Sequence, residues 1–372
     1  MSASSQELLL LRHRVVYATR TASHALVKEI WALRGVEAAR AETIADNADV
    51  KLHWVDALPA PNGESSVVKL EQERDILVLR NRTSPFISQF EHPLGRCAKF
   101  YKLSAYNNCN YWCEYCYLYL TFRTRPFSIH YANYERLFRE IAVFDKADIP
   151  PRLRMLNLGE LGDPLAIDDV TAFSKVIIPF VTENTARTSL LFLTKSACVD
   201  NLLELDGQGR VAVSFSVNTD KVAKHLEHRA PPVGDRLLAA RRVQDAGYEI
   251  RLRIDPVFYY STWERDYAQL VDDIADTVKP SVVTIGEYRP ACMLGNHIRL
   301  RFPDSPLLKI ERGLVKDHGK LRYPPERRHA MFAHIVARLR HRGITRIGLC
   351  KEGAESWRAA GLNGTFCCNC LL

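Results

Sequence analysis

SAYNNCNYWCEYCYLYL, residues 104–120, carries the strongest signal in this 372-residue chain. It places Cys109, Cys113 and Cys116 in a C-x3-C-x2-C spacing directly after a segment with the pattern of a β-strand. An iron–sulfur cubane contains four irons, so three thiolates leave one iron open to a further ligand. Zinc sites normally add a fourth ligand in a paired C-x2-C arrangement, and none follows nearby. The triplet therefore predicts a [4Fe–4S] cluster.

This triplet resembles the cluster motif of the radical S-adenosylmethionine (SAM) superfamily. In that superfamily the open iron binds the amino and carboxylate groups of SAM, and reductive cleavage of SAM releases a 5′-deoxyadenosyl radical. The resemblance implies two cofactors, the [4Fe–4S] cluster and SAM, and an electron donor such as a flavodoxin or a ferredoxin. It also implies that Tyr115, next to the third cysteine, lies against the adenine of SAM.

From about residue 100 onward, short apolar runs alternate with helical patterns. LRMLNL (153–158), LLFLT (190–194) and VAVSFSV (211–217) are typical of strands, and DRLLAARRVQDAG (235–247) is typical of a helix. This alternation indicates parallel strands with helices packed outside them. We therefore expect an α/β fold, an open (partial) parallel β/α barrel of the radical SAM type.

Three regions are expected along the chain. Residues 1–95 form a small N-terminal subdomain, and residues 96–290 form the radical SAM partial barrel core. Residues 291–372 form a C-terminal extension with a lid-like loop, a helix at ERRHAMFAHIVARLRHRG (326–343) and a Cys-rich tail. Long loops in a compact enzyme often serve as lids or binding elements.

Several ordered segments resemble the spore photoproduct lyase family across most of residues 70–270. They are CEYCYL (113–118), RPFSIHYANYERLF (125–138), FSVN (215–218), LEHR (226–229) and DPVFYYSTWERDY (255–267). The resemblance implies that Lys195, Ser216 and Asn218 contact SAM, as ammonium, hydroxyl and amide groups can. It also implies that Tyr115 and Tyr117 relay a radical, although core packing alone would also explain both rings.

One segment departs from that family. In the family a cysteine ahead of an Ile-Asp pair donates a hydrogen atom to the product radical, whereas GELGDPLAID (159–168) places Glu160 there. A carboxylate cannot donate a hydrogen atom as a thiol does. LNLGELGDP instead resembles the Gly-Gly-Glu motif of other radical SAM enzymes, so Glu160 or Asp163 is expected to accept a hydrogen bond from the SAM ammonium.

A second group of cysteines lies near the C-terminus and comprises Cys350, Cys367, Cys368 and Cys370. They suggest a second site, for an auxiliary Fe–S cluster or zinc, although adjacent cysteines cannot easily both bind one metal. Alternatively, Cys350 or a tail thiol reaches the barrel mouth and supplies the hydrogen atom that Glu160 cannot. A third explanation is that the thiols are buried as small apolar side chains.

Composition sets broad limits on class and partners. The chain is 47% hydrophobic and long enough to bury a large core. Lys and Arg number 51 against 43 Asp and Glu, a net charge of +8 that suits a phosphate-bearing partner without requiring one. No apolar run reaches membrane-spanning length and no secretory pattern is found, so we expect a cytoplasmic protein with no membrane partner.

These patterns predict a radical SAM enzyme of the lyase or C–C bond-forming class. The favoured substrate is a nucleoside- or sugar-like metabolite, from which hydrogen abstraction leads to the making or breaking of a C–C bond, because the donor cysteine is absent. The alternative is repair of DNA or another nucleic acid in the manner of spore photoproduct lyase. A second alternative is a non-enzymatic, zinc-stabilised nucleic-acid-binding scaffold, which three oxidisable thiols in one loop disfavour.

Overall fold

Two open, mainly parallel sheets organise residues 26–58, 73–91, 99–122, 127–362 and 368–372, which are the residues that the computed structural model describes. The strands are β1 (Glu29–Leu33), β2 (Leu52–Val55), β3 (Ile76–Arg80), β4 (Ile87–Phe90), β5 (Phe100–Leu103), β6 (Tyr106–Asn107), β7 (Ser128–Tyr131), β8 (Met155–Asn157), β9 (Ser189–Thr194), β10 (Val211–Ser216), β11 (Glu249–Val257), β12 (Val282–Glu287), β13 (Val315–Asp317), β14 (Lys320–Arg322) and β15 (Ile347–Leu349).

Helices connect most of these strands. They are α1 (Ala38–Ala48), α2 (Leu118–Thr121), α3 (Tyr134–Lys146), α4 (Asp168–Thr171), α5 (Phe173–Asn184), α6 (Asp200–Leu203), α7 (Asp220–Leu226), α8 (Val233–Asp245), α9 (Trp263–Thr277), α10 (Leu294–Arg301), α11 (Leu307–Ile310), α12 (Pro325–His341) and α13 (Ala354–Ala359), with short 3-10 helices at Pro151–Leu153 and Glu311–Gly313. In the described residues no helix is long and apolar enough to cross a membrane.

The larger sheet forms the barrel. Its strand order is β15-β12-β11-β10-β9-β8-β5-β4, and every neighbouring pair is parallel except β4 with β5. The order is linear and its ends do not pair, so the barrel is open among the described residues. This confirms the fold class expected from the alternation of strands and helices.

Strand β10 shows why the barrel strands are apolar on both sides. Val213 and Phe215 pack into the main core against the outer helices. Ala212 lies on the opposite face, in a cluster with Met155 and Leu191 of the neighbouring strands. A parallel strand covered on both faces loses the simple alternation of polar and apolar residues. Side chains on the Ala212 face point into the concave interior of the barrel.

The outer helices follow the expected periodicity. In α9 the buried residues Trp263, Tyr267, Leu270, Val271 and Ile274 recur three or four positions apart and form one apolar face. α12 packs against α9 and against α13. Helix α12 begins with Pro325, whose fixed φ and missing N–H suit the first turn of a helix.

The smaller sheet has the order β2-β1-β3-β7-β6, with β6 antiparallel to β7 and the other pairs parallel. Strands β1 to β3 precede residue 95, whereas β6 and β7 follow it. Conversely, β4 precedes residue 95 and belongs to the larger sheet, as does β15 from beyond residue 290. Both sheets therefore extend across the expected region boundaries, which remain predictions.

The region expected as a lid-like loop contains regular structure. Residues 291–324 include α10, α11 and the antiparallel hairpin β13–β14. The hairpin is fixed at Arg322, whose buried guanidinium pairs with Glu287 at the end of β12 and with Glu352 after β15. This buried pairing ties the hairpin to the end of the barrel where the strands terminate.

Candidate active site

The cysteine triplet lies in a loop that follows β6. Cys109, Cys113 and Cys116 belong to one small apolar cluster that also includes Tyr111 and Ala166. Burial raises the pKa of the Cys109 thiol well above its usual value, and the neighbouring Asp163, Cys113 and Cys116 raise it further. The positive charge of bound iron is what stabilises such thiolates. The loop thus gathers three thiols in one protected place.

The spacing of these thiols bears on the kind of metal group. Among the described residues, no three His, Cys, Asp or Glu side chains lie close enough to hold a single metal ion. The ligands of one zinc ion, at about 2.3 Å each, would have sulfurs roughly 4 Å apart. The thiolates of a cubane bind different irons and stand farther apart. The prediction of a cubane at the triplet therefore rests on its C-x3-C-x2-C spacing.

The segment 226–229 holds the cysteine loop. Glu114 N–H donates to the Leu226 carbonyl at 2.9 Å, and Arg229 N–H donates to the Tyr111 carbonyl at 3.2 Å. Glu227 forms an isolated β-bridge with Cys113 in the middle of this contact. From the sequence, LEHR (226–229) was notable only for its resemblance to the family. The structure shows that this segment braces the cysteine loop.

Glu227 is a functional candidate that the sequence analysis missed. It is buried, it accepts a hydrogen bond from the Tyr115 hydroxyl, and it pairs with the fully buried Arg236 at 2.6 Å. Burial opposes its ionisation, yet Arg236 and Lys195 hold the pKa of the Glu227 carboxyl below its usual range. The sequence signal that could have revealed Glu227 is an acidic residue within LEHR, a motif that resembles the family.

The ends of three successive strands bring the other predicted side chains towards this loop. Glu160 and Asp163 follow β8, Lys195 follows β9, and Ser216 ends β10. Parallel barrels build their sites at the carboxyl ends of their strands.

Lys195 lies at the cysteine loop. Its ammonium is 5.7 Å from the centre of the Tyr115 ring. The positive charge also acts on Cys113 and Cys116, partly opposing the effect of burial, which raises the pKa of both thiols. Lys195 is therefore placed to pair with an anionic group bound beside the triplet.

Asp163 is already engaged within the protein. Its carboxylate accepts hydrogen bonds from the Thr194 hydroxyl at 2.6 Å, the Lys195 N–H at 2.6 Å and the Leu165 N–H at 3.0 Å. These contacts fasten the loop after β8 to the end of β9. Asp163 thus positions Lys195, and its expected hydrogen bond with SAM stays a prediction.

Glu160 and Tyr117 meet at the mouth of the barrel. The Tyr117 hydroxyl donates to the backbone carbonyl of Glu160, and the Tyr117 side chain is 46% exposed. The half-buried Glu160 carboxylate has no hydrogen-bond partner within the described residues. Of the two predicted acidic residues, Glu160 is the one that remains available to a ligand.

Ser216 and Asn218 also differ in whether their side chains already have hydrogen-bond partners within the protein. The Asn218 amide donates to the Pro256 carbonyl at 2.7 Å, and its oxygen accepts from Thr219 N–H and from the Tyr267 hydroxyl, both at 2.9 Å. Asn218 therefore joins the end of β10 to β11 and α9. The buried Ser216 hydroxyl has no partner among the described residues and is free to bind a ligand.

The predicted second metal site stays a prediction. Cys350, Cys368 and Cys370 form no group that could hold a metal ion among the described residues, and Cys367 lies outside those residues. Cys350 sulfur lies 3.4 Å from an Arg289 guanidinium nitrogen. Cys370 sulfur lies 3.2 Å from the Arg253 guanidinium.

Charged residues on β11 and β12 complete the mouth and were not singled out in the sequence. Asp255 accepts two hydrogen bonds from Arg289, at 3.1 and 2.9 Å. Burial opposes its ionisation, yet Arg289 and then Arg253 hold the pKa of the Asp255 carboxyl below its usual range. Arg253 itself interacts with Cys370, Cys350, Asp255 and Glu160.

Comparison with known proteins places this site in a family. A model of the family described as spore photoproduct lyase matches residues 62–287, which is more than half of the chain and includes the triplet and the ends of β8, β9 and β10. The chain belongs to the spore photoproduct lyase family. This membership confirms the resemblance, and with it the family's cofactors, a [4Fe–4S] cluster and SAM.

Curated spore photoproduct lyases align over part of their length. The chain is 28% identical to the enzyme of a Geobacillus species over 214 residues, which cover 57% of this chain and 60% of that one. It is 25% identical to the Clostridium acetobutylicum enzyme over 209 residues, covering 56% of this chain and 62% of that one. It is 29% identical to the Bacillus subtilis enzyme over 174 residues, covering 47% of this chain and 50% of that one.

Solved structures share the fold. A spore photoproduct lyase with a single tyrosine-to-phenylalanine substitution superposes with a TM-score of 0.76 at 21% identity, covering 88% of this chain and 99% of that chain. The same values hold for spore photoproduct lyase complexed with dinucleoside spore photoproduct. A double mutant with bound AdoMet and dinucleoside spore photoproduct matches at 20% identity and a TM-score of 0.76.

These matches bear on the expected substrate. They give no support to the favoured nucleoside- or sugar-like metabolite, and they agree better with the alternative, repair in the manner of spore photoproduct lyase. The correspondence of Glu160 with the family's donor cysteine remains a prediction from the sequence. So do the roles of the individual site residues.

Proposed function

We propose that this protein is a radical SAM lyase that breaks the C–C bond between two linked pyrimidine nucleosides in DNA, as in spore photoproduct. The observation that carries the proposal is the convergence of Lys195, Glu160 and Tyr117 on the cysteine loop in a chain whose family match spans all of them. The cluster and SAM, when bound at the triplet, supply the radical that abstracts hydrogen from the substrate.

The chain offers separate groups for separate parts of SAM. The Lys195 ammonium suits the methionine carboxylate, and the Glu160 carboxylate suits the ammonium group. The Ser216 hydroxyl can bond to the ribose or to the carboxylate. Tyr115 is held by Glu227 beside the third cysteine, where its ring can lie against the adenine.

The charge at the barrel mouth favours a nucleotide over a neutral metabolite. Lys320 and Lys351 lie near Arg289, and neither lysine forms a salt bridge among the described residues. Burial lowers the pKa of Lys320, and the neighbouring Lys351 and Arg289 lower it further. A cluster of positively charged side chains favours the binding of a phosphate. Similar enzymes of known structure contain dinucleoside spore photoproduct.

A direct assay tests the proposal. The full chain, reconstituted with iron and sulfide under anaerobic conditions and reduced with dithionite, is mixed with SAM and an oligonucleotide containing spore photoproduct. We expect release of 5′-deoxyadenosine and restoration of thymine. Cys113→Ala should lose both products together with the visible absorption of the cluster, whereas Cys292→Ala, at an exposed cysteine outside the triplet, should keep them.

A second measurement addresses the substrate. Lys320→Ala and Lys351→Ala should weaken binding of the oligonucleotide and reduce the dependence of its affinity on salt, because each removes a phosphate contact. A wild-type chain that cleaves SAM but leaves the photoproduct intact would contradict the proposed substrate. So would photoproduct binding that does not depend on salt.

A further inference from the structure

The C-terminal tail places a sulfur inside the open barrel. Cys370 sulfur lies 3.6 Å from the Asn157 amide nitrogen on β8 and 3.2 Å from the Arg253 guanidinium on β11. In the sheet these two strands are separated by β9 and β10. One atom can contact side chains of strands three places apart only from the concave side of the sheet. The Cys370 sulfur is therefore in the barrel interior.

The tail crosses the interior below the strand ends. Arg251 donates to the tail carbonyls of Asn369 and Leu371, at 2.8 and 2.5 Å. Arg253 is two residues further along β11, on the same face of the strand, and contacts the Cys370 sulfur instead. The Cys370 side chain therefore points from the tail towards the carboxyl ends of the strands, where Glu160 and Tyr117 lie.

Strands β10, β11 and β12 carry buried polar groups without protein partners. The Ser214 hydroxyl, the Thr284 hydroxyl and the Arg253 Nε are buried and make no hydrogen bond among the described residues. Ser214 shares the interior face of β10 with Ala212, and Thr284 is in register with Arg253. Buried polar atoms of native proteins nearly always have partners. These three groups on the interior strands therefore remain available to water or to a polar ligand.

Cys370 is paired with a second thiol. Cys368 packs against the small cluster that contains Cys370, and interaction with the Cys368 side chain lowers the pKa of Cys370 to about 6, against the effect of burial and with the help of Arg253. At neutral pH the two sulfurs therefore share one proton. A thiolate next to a thiol can stabilise a sulfur radical, because a thiyl radical and a thiolate combine into a disulfide radical anion.

We propose that the Cys368–Cys370 pair is the hydrogen-atom donor of this enzyme, an inference that rests on the proposed function. Cleavage of the C–C bond leaves a carbon radical on the product. The carbon takes the S–H hydrogen from Cys370, to which Cys368 passes the shared proton, and a new C–H bond forms. The sulfurs are left as a disulfide radical anion, which one electron from the low-potential reductant and one proton from solvent convert back to the thiol–thiolate pair.

The test is the photoproduct assay run in D2O, where thiol hydrogens exchange with solvent. The wild-type chain should restore thymine that carries solvent deuterium. Cys370→Ala and Cys368→Ala should still release 5′-deoxyadenosine but lose deuterated thymine, while Cys292→Ala behaves as wild type. Cys370→Ser provides a second variant that keeps a small polar side chain and therefore the tail contacts, but whose O–H bond is too strong to donate.

The outcomes are distinct. Deuterated thymine at the wild-type level from Cys370→Ala or Cys370→Ser would overturn the assignment of the donor and leave the proposed function intact. Loss confined to Cys350→Ala would also overturn it, because the donor would then be the thiol beside Arg289. A wild-type chain that releases 5′-deoxyadenosine without restoring thymine would overturn the proposed function and the donor with it.

Discussion

Glu227 and Arg236 form a buried ion pair beneath the cysteine loop, with 2.6 Å between a carboxylate oxygen and a guanidinium nitrogen. The pair connects the segment that braces the loop to helix α8. Since the Tyr115 hydroxyl also bonds to Glu227, one carboxylate organises both the loop and the residue next to the third cysteine. The stability of this region and its capacity to bind the cluster should therefore change together.

Glu227→Ala should expose that dependence. The substitution leaves Arg236 charged and buried without its partner, and breaking such a pair costs about 3–5 kcal/mol of unfolding free energy. We expect this loss in denaturant unfolding and a parallel fall in iron bound per chain. Glu264→Ala, at an exposed position of α9, is the matched control and should change neither quantity. A stable Glu227→Ala chain with full iron content would refute the role of the pair.

Lys195→Ala tests the SAM site without removing a cluster ligand. If Lys195 pairs with the SAM carboxylate, the variant loses a charged hydrogen bond worth about 1.5–3 kcal/mol, and the Kd for SAM rises about 10- to 100-fold. The cluster absorption should be unchanged. The control is Lys221→Ala at an exposed position of α7. Unaltered SAM binding by Lys195→Ala would remove this residue from the site.

Sequence patterns were enough to predict those parts of the candidate site that depend on local spacing, and their roles stay predictions. The cysteine triplet, and Lys195 after a strand, are contiguous motifs whose structural context can be inferred from neighbouring residues. The contribution of Glu227 could not be inferred from neighbouring residues, because it arises from a contact between residues 113 and 227 that only the folded chain brings together. The position of Cys370 could not be inferred either, because Cys370 contacts Asn157, which is 213 residues away in the sequence.

The fold shows a similar division. The alternation of apolar runs and helical patterns was enough to predict an open parallel β/α barrel. It could not assign β4 to the larger sheet and β7 to the smaller one, because sheet membership depends on backbone pairing between distant segments. Asp163 illustrates the same limit in the site: its spacing suggested a SAM ligand, whereas its oxygens accept hydrogen bonds from Thr194, Lys195 and Leu165.

The pH dependence of stability should include a contribution from His130. Burial lowers the pKa of this imidazole from 6.5 to about 3, with help from the charge of Arg40. Between those values the unfolded chain binds a proton that the folded chain does not, so stability decreases as pH falls from about 6.5 towards 3. His130→Gln should flatten this part of the curve, whereas His225→Gln, at an exposed histidine, should not. The measurement is urea unfolding across this pH range, and identical slopes for the two variants would contradict the assignment.

Gly162→Ala tests the close approach between the loop after β8 and the cysteine loop. A Cβ at Gly162 would lie 2.4 Å from the Asn108 carbonyl oxygen and 2.9 Å from the Tyr106 ring, and neither group can move freely. Forcing an extra methyl group into a packed contact typically costs about 1–3 kcal/mol. Because Asn108 immediately precedes Cys109, the displacement should also lower the iron content and the yield of 5′-deoxyadenosine.

Gly234→Ala is the matched control for that substitution. A Cβ at Gly234 meets nothing within 4 Å, and the residue lies in the first turn of helix α8. Replacing a helical glycine with alanine in open space should leave stability unchanged or raise it by up to about 1 kcal/mol. The comparison separates a general effect of adding a methyl group from one that acts through the cysteine loop. If Gly162→Ala bound iron as well as Gly234→Ala does, the two loops would not be coupled, and the geometry of the triplet would have to be set by the brace at Glu227 alone.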